Sequence, residues 1–592
     1  MWESMRGRRA SLGSKRSIWL SACAALAACS AGSKNSTPID QRVAALSADD
    51  SSDQGGDDRG DDGDGRCEAG GAVTTSRNDN ARTGAYLCES QLTPANVNVN
   101  SFGLLYTRNL DGKVYVQPLF VPNVKTARGA KHDVVYVVTE HDTVFAFDAQ
   151  DPAASTPLWS RTLGPSVPSA DVGIPGRSCN DITPEIGISG APTIDVDSGT
   201  MYVVAKVEEN GVQNHRIFAL DIRTGASLLP PVDIAGTYPG TASDSVNGVL
   251  TFDPVRHNIR ASLLLHDGTL YVAATSHCDF PPWHGWIFAY DAKTLRQKAV
   301  LVTTPDGAGG GVWQSGGGLS ADDSGVYFVA GNGTYEDGTV KPQSGFGQTI
   351  GKLQLQGNQL NVVDWFIPYN VDLQNFEDAD LASPALLIPH TNLLVALSRG
   401  GRVPLKQMAD AYVLPRDNFG HFHASQADEV AETVLLSDPD DTADPTNSLL
   451  QRAYALVHFR TEKDARIYSW AQNDFPRAFG IQGTGLNPVP VATGTAIAKS
   501  ATVTGMISLS ANNKKNGILW GSINVDSTDK NTAKTQLFAF DAATLQTLWD
   551  SRQNQARDEV GTWGKWAYPT VAGGKVFLAN ADAQLRVYGL LH

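Results

Sequence analysis

From about residue 102 onward, hydrophobic and polar positions alternate with a period of two, in short runs rich in Val, Ile, Tyr and Phe. Gly, Asn and Asp interrupt the runs. Such alternation turns one face of an extended segment to a core and the other to solvent, and the interruptions supply tight turns between strands. One phrase recurs: a β-branched run, a turn, then an apolar strand ending in Asp. It reads VVYVVTEHDTVFAFDA from Val134, MYVVAKVEENGVQNHRIFALDIRTG from Met201 and LYVAATSHCDFPPWHGWIFAYDAKTL from Leu270. It returns as ILWGSINVDSTDKNTAKTQLFAFDAATLQTLW from Ile518. The repetition around Phe145, Phe218, Phe288 and Phe538 is too specific for unrelated hairpins.

Degenerate copies fill the gaps: IGKLQL at Ile350, DAYVLPRDN at Asp410, RAFGIQ at Arg477 and LRVYGL at Leu585. Four clear and four degenerate copies predict eight units of about 61 residues, longer than a usual propeller blade of about 40–50 because loops on one face are enlarged. Each unit reads as strand A (as in SGAPTID), B (MYVVAK), C (IFALD) and a less regular D, with Trp159 and Trp549 on two D strands. The expected fold is all-β, an eight-bladed β-propeller of four-stranded blades over residues 102–592. LLYTRNLDGKVYVQPLF from Leu104 fits the outer strand of the last blade running into strand A of the first, which closes the ring and hides two sheet edges.

The beginning of the chain has a different character. Arg6, Arg8, Arg9, Lys15 and Arg16 precede the apolar stretch Ile18–Ala28, the pattern of a secretory signal over residues 1–28. Leu26-Ala27-Ala28-Cys29 resembles the lipobox of bacterial lipoproteins, which implies lipidation at Cys29 and a place in the cell envelope, at the outer membrane. An ordinary cleaved signal peptide is the alternative. Residues 29–66 form an acidic spacer with almost nothing to bury, and residues 67–101 lead into the propeller. No apolar run reaches about 18 residues, so the membrane is reached by a lipid anchor only. The formal net charge of −15 repels phosphate backbones and excludes nucleic acid as a partner. Beyond the leader and Cys29, four cysteines remain in an oxidising setting: Cys67 with Cys88 at the start of the folded region, leaving Cys179 with Cys278.

More specific phrases carry a resemblance. GGGVWQSGGGLSADDSGVYFVAGNG from Gly309 looks like the region around the cofactor floor of quinoprotein alcohol dehydrogenases, and SRNDNARTG from Ser76 looks like the motif entering their first blade. The chain therefore resembles the pyrroloquinoline quinone (PQQ) type propellers. The resemblance implies PQQ and calcium as cofactors, an alcohol or sugar as small-molecule substrate, and an external electron acceptor, since no Cys-x-x-Cys-His haem motif is present.

In an up-and-down blade the B–C and D–A connections emerge on one face. Glu140, His141, Glu208, Glu209, His277, Cys278, Asp279 and Asn332 lie in the former; Cys179, Trp313, Asp378 and Asp380 lie in the latter or enter strand A. Position by position, the resemblance implies Glu209 and Asn332 as calcium ligands, Trp313 as the ring beneath the quinone, Asp380 as catalytic base, and Arg399 or Lys406 as the cation on the quinone oxygens. Each has a plainer reading: hairpin charge for Glu209, left-handed turn residue for Asn332, funnel filler for Trp313, turn cap for Asp380. His141 and His277 show no zinc-type spacing. The family's adjacent-cysteine pair is absent and its Gly-x-x-x-Trp docking pattern is eroded. A non-catalytic envelope scaffold, like the outer-membrane assembly lipoprotein propeller that docks other envelope proteins, or a carbohydrate- or peptide-binding surface protein, are the alternatives.

Overall fold

The computed structural model describes residues 71–127, 129–174, 177, 179–336, 345–399, 410–422, 432–436, 453–498, 505–524 and 532–591. Eight small sheets, each built on four antiparallel strands in A-B-C-D order, make an eight-bladed propeller. The four clear copies of the repeat are strands B and C of blades 1, 2, 3 and 7. The degenerate copies are the C strands Thr349–Gln356, Asp410–Pro415, Pro476–Gln482 and Gln584–Leu590 of blades 4, 5, 6 and 8.

The recurrent Asp has a local job. At the end of strand C its carboxylate accepts the backbone N–H two or three residues on: Gln150 to Asp148 (2.8 Å), Arg223 to Asp221 (2.7 Å), Thr294 to Asp291 (3.0 Å) and Ala543 to Asp541 (2.9 Å). The side chain thus closes the C–D turn. The residue after that Asp then receives a hydroxyl from the preceding blade: Tyr136 to Ile222 (2.9 Å), Tyr202 to Ala292 (2.9 Å) and Tyr468 to Ala542 (2.8 Å). A buried phenol needs a partner, so the Tyr of strand B sets the spacing between neighbouring blades.

The ring closes through both chain regions, as the repeat predicts: Phe102–Asn109 is the outer strand of blade 8 and pairs with Gln584–Leu590, from Phe102↔Leu590 to Asn109↔Gln584. Just before it, the segment from Val73 to Glu89 winds once around the axis and meets the inner strands in order. Val73 donates to Phe120 of blade 1 (2.7 Å), and Thr74 accepts from Ile194 of blade 2 (2.9 Å). The Asn80 amide donates to Leu265 of blade 3 (3.0 Å). Asn80, Ala81, Thr83 and Gly84 accept from Ala321, Leu387, His458 and Leu509 of blades 4 to 7, each at 2.9 Å. Glu89 finishes the circuit at Gly574 of blade 8 (3.0 Å). The inner strand of every blade would otherwise present unpaired backbone groups to the axial channel.

Candidate functional site

On the face where the B–C and D–A connections emerge, the axial funnel widens into a chamber of about 510 Å³. Its first wall is the phrase SHCDFPPWHGW. Cys278 and Asp279 take left-handed backbone angles (φ 53° and 52°), with the Ser276 hydroxyl accepting Asp279 N–H (3.1 Å) and facing Asp279 Oδ1 at 3.0 Å. Cys278 is bonded to Cys179 in the blade 1–2 connection, as expected. Further along the phrase, Trp283 sets its ring edge-on to Trp313, 6.0 Å between centroids, and His284 bridges Thr304 and Asp244, each at 3.0 Å. Ser276, His277, Cys278 and Asp279 of the phrase line the chamber, and Trp283 packs on the lining residue Trp313.

The second wall is aromatic and cationic. The Arg260 guanidinium lies 4.8 Å over the Trp313 ring and 5.1 Å over the Trp566 ring, and Tyr454 packs edge-on to Trp566 at 4.9 Å. Asp181 takes Arg260 on one oxygen (3.1 Å) and the Lys565 ammonium on the other (2.5 Å). The third wall comes from the blade 4–5 connection. There the Arg399 guanidinium bridges Asp378 Oδ2 (2.5 Å) and Asp380 Oδ2 (3.1 Å), while Asp380 Oδ1 accepts Asn332 N–H (2.8 Å). Burial alone would lower the Arg399 guanidinium, but Asp380, Tyr454, Asp378 and Asp279 together hold it above its ordinary value.

Two further perturbed groups matter, one lining the chamber and one behind its wall. Asp279 is open toward its mouth, yet loss of water on its protein side and the charge of Asp380 push the carboxyl up to about 6. Ser276 and Arg399 oppose that rise and Asp378 adds to it. Behind His277, the Lys206 ammonium is fully enclosed. It meets Pro254 O (2.5 Å) and His277 Nε2 (3.2 Å), and burial brings it down to about 7.

Of the residues singled out from the sequence, Trp313, Asp380 and Arg399 are brought together in the chamber wall with Cys179, His277, Cys278 and Asp279. Asn332 stands behind them. Its amide donates to Asp378 (2.9 Å) and accepts from Gln348 (2.8 Å), so it orients the acidic pair and does not line the space. Glu209 is elsewhere. Strands B and C of blade 2 remain paired as far as Glu209↔Val212, which carries Glu209 to an exposed hairpin tip where Arg216 binds it at 3.1 and 3.2 Å. His141 pairs with Glu185 (3.0 Å) at the rim. Cys88 is disulfide-bonded, while Cys67, Lys406 and Cys29 lie outside the described residues. Among the described residues, no group of three or more His, Cys, Asp or Glu side chains is arranged to hold a metal ion.

Asp181, Arg260, Tyr454, Lys565 and Trp566 escaped the sequence reading. All occupy connections that the same face rule assigns to the funnel; applying it to every D–A connection would have found them.

No protein-family model matches the chain, and no curated protein matches it. Among solved structures, the fold is similar to the quinohemoprotein alcohol dehydrogenase from Comamonas testosteroni, with 16% identity over 90% of this chain and 82% of that one and a TM-score of 0.51. It is also similar to a europium-containing methanol dehydrogenase, with 14% identity over 88% of this chain and 99% of that one and a TM-score of 0.53. At such identities the likeness shows the fold, an eight-bladed propeller of the quinoprotein dehydrogenase kind.

Proposed function

We propose that this propeller, which shares its fold with quinoprotein dehydrogenases, binds PQQ in the funnel chamber and oxidises an alcohol or sugar there. The observation that carries the reading is the pairing of flat and cationic walls: Trp313 and Trp566 with Arg260, Arg399 and Lys565 around one space of about 510 Å³. A planar tricarboxylate has the shape for the aromatic walls, and its carboxylates would share the three cations with Asp181, Asp378 and Asp380, which already pair with them. Among the described residues the buried Arg260 Nε has no hydrogen-bond partner, and an anionic ligand's oxygens suit it. PQQ supplies a two-electron acceptor when bound. The chain's own part is to hold that ligand through Arg260, Arg399 and Lys565, to exclude water with Trp313 and Trp566, and to take a proton.

The calcium half of the expectation fits less well. Asn332 spends its amide on Asp378 and Gln348, and Glu209 is bound by Arg216 at a hairpin tip. No step is therefore derived through a metal.

The setting belongs to the same proposal. Cys29 carries a lipid at the cell envelope, the chamber works outside the cytoplasm, and electrons leave to a separate acceptor. The Cys179–Cys278 disulfide agrees with an oxidising compartment. Among the described residues, no helix is long and apolar enough to cross a membrane.

Adding PQQ to the purified full chain, with and without Ca²⁺, tests the reading. The expected result is saturable quenching of tryptophan fluorescence and dye-linked oxidation of at least one member of an alcohol and sugar panel. No quenching at millimolar Ca²⁺ would overturn it and leave a propeller that serves as a docking scaffold.

A further inference from the structure

Three carboxylates face the chamber, and they are not equivalent. Asp181 is neutralised between Arg260 and Lys565. Asp380 has one oxygen on Arg399 and the other on Asn332 N–H. A carboxylate whose two oxygens are both engaged, one by a guanidinium, is a weak proton acceptor because protonation must first break those contacts. Asp279 differs. Among the described residues its side chain makes no ion pair, and its hydrogen-bond partner is the Ser276 hydroxyl on Oδ1, which leaves Oδ2 uncommitted on a residue that lines the chamber. Its position is also rigid: the preceding residue is locked by the disulfide, and its own N–H is tied back to Ser276.

We propose that Asp279 is the proton acceptor of the chamber, taking the hydroxyl proton of the substrate on Oδ2. The inference rests on the dehydrogenase reading for its substrate, and on the chamber's geometry for its choice of residue. One O–H bond of the substrate breaks and one forms at Asp279. The carboxylate becomes neutral, and the negative charge passes to the substrate oxygen in a space bordered by Arg399 and Lys565. The charged groups around Asp279 are Asp380, Asp378 and Arg399 from the blade 4–5 side, Asp181 from the blade 1–2 connection, Arg260 and Lys565 across the chamber, and His277 on its own loop. Loss of water first, and then the charges of Asp380 and Asp378, make its proton affinity higher than that of an ordinary carboxylate, near 3.9 in free peptides. A base that titrates close to working pH is ionised in use and still binds a proton well.

The first measurement needs no cofactor. In the full chain, carboxyl-stretch infrared difference spectra and tryptophan fluorescence are followed from pH 4 to 8. Glu140 and Asp410 are also raised into this range, so the readout is the difference between proteins: one carboxyl component near pH 6 is expected in the wild type, lost in Asp279→Asn and shifted to lower pH in Asp380→Asn, where a repelling charge is gone. A carboxyl titration of the same amplitude in Asp279→Asn as in the wild type would overturn the assignment. The second measurement adds PQQ and Ca²⁺. Asp279→Asn should quench like the wild type but turn over about 10²–10⁴-fold more slowly, the usual contribution of a positioned base. Asp279→Glu should restore part of the rate with the acidic limb of its pH profile retained. Wild-type turnover in Asp279→Asn would overturn the proposal and return the role to Asp380. If none of the proteins binds PQQ, the dehydrogenase reading fails, and the cofactor-free titration still decides whether Asp279 is the group that takes up a proton.

Discussion

Cys179 and Cys278 are 99 residues apart in the chain and joined by a disulfide, with their Cα atoms 5.7 Å apart. The bond ties the blade 1–2 connection, which carries Asp181, to the blade 3 hairpin, which carries His277 and Asp279. Two walls of one chamber are thereby held at a fixed separation by a covalent link that crosses a blade boundary.

Removing that link should cost stability and order together. In the chain-entropy model, whose mechanism is contested, a bridge closing a loop near 100 residues contributes about 4–5 kcal/mol. The double variant Cys179→Ser/Cys278→Ser is expected to unfold at lower denaturant with a steeper slope, since the uncrosslinked unfolded chain exposes more surface, and to lose protection from amide exchange in the segments around Asp181 and Asp279. An unchanged midpoint would show that the ring alone fixes these loops.

The axial segment makes a second prediction. Arg82, almost wholly buried, donates to Leu319 O (2.9 Å) and Leu263 O (3.3 Å) and so joins the approaches to blades 4 and 3. Arg77 does the same for blades 7 and 6 through Ile507 O and Leu456 O, both at 2.5 Å, with its guanidinium 4.5 Å over the Tyr568 ring. Replacing either by Ala strands buried carbonyls, at about 1–3 kcal/mol each. We expect losses of about 2–5 kcal/mol for Arg77→Ala and Arg82→Ala in urea unfolding, against an unmoved midpoint for an exposed control such as Arg223→Ala.

Glu140 makes stability depend on pH. Burial lifts its carboxyl from 4.5 to about 7, against hydrogen bonds from Gly187 N–H (2.8 Å) and the Ser189 hydroxyl (2.9 Å) and helped by Glu185 and Asp181. The folded state therefore holds this proton through a range in which the unfolded chain has released it. Stability from this group falls as pH rises from about 4.5 to 7. Glu140→Gln removes that slope, so the variant should gain on the wild type between pH 5 and pH 8, by at most about 3 kcal/mol. Unfolding midpoints of both proteins at four pH values suffice. Parallel curves would place the proton elsewhere.

Arg260 is expected to govern affinity for an anionic ligand. It is flanked by Trp313 and Trp566 and tied to Asp181. Arg260→Gln keeps a polar side chain but removes the charge, and a hydrogen bond to a charged group contributes about 1.5–3 kcal/mol. Titration of PQQ by tryptophan quenching should show about a 10- to 100-fold weaker Kd. Equal affinity would mean that the ligand lies away from this wall.

The amino-acid order by itself determined the strands, their grouping into eight units, the closure of the ring and the Cys179–Cys278 pair. Each depends on local periodicity or on the handful of ways repeated hairpins can close, and both are written into neighbouring residues. Which groups meet in the chamber was decided by tertiary structure. Asp181, Arg260, Asp279, Asp380 and Lys565 come from separate connections with no shared period, and only the closed ring sets their distances. Glu209 illustrates the reason: strand pairing in its hairpin runs as far as Glu209↔Val212, which carries the side chain to an exposed tip away from the chamber lining. Asn332 illustrates another. Its place in the chain was legible, but the turn of its amide toward Asp378 depends on an acidic residue 46 positions away, and no local pattern encodes that distance. The axial winding of Val73 to Glu89 has the same origin. Its backbone is shaped by unpaired groups on eight inner strands, which exist in one place only after the ring has formed.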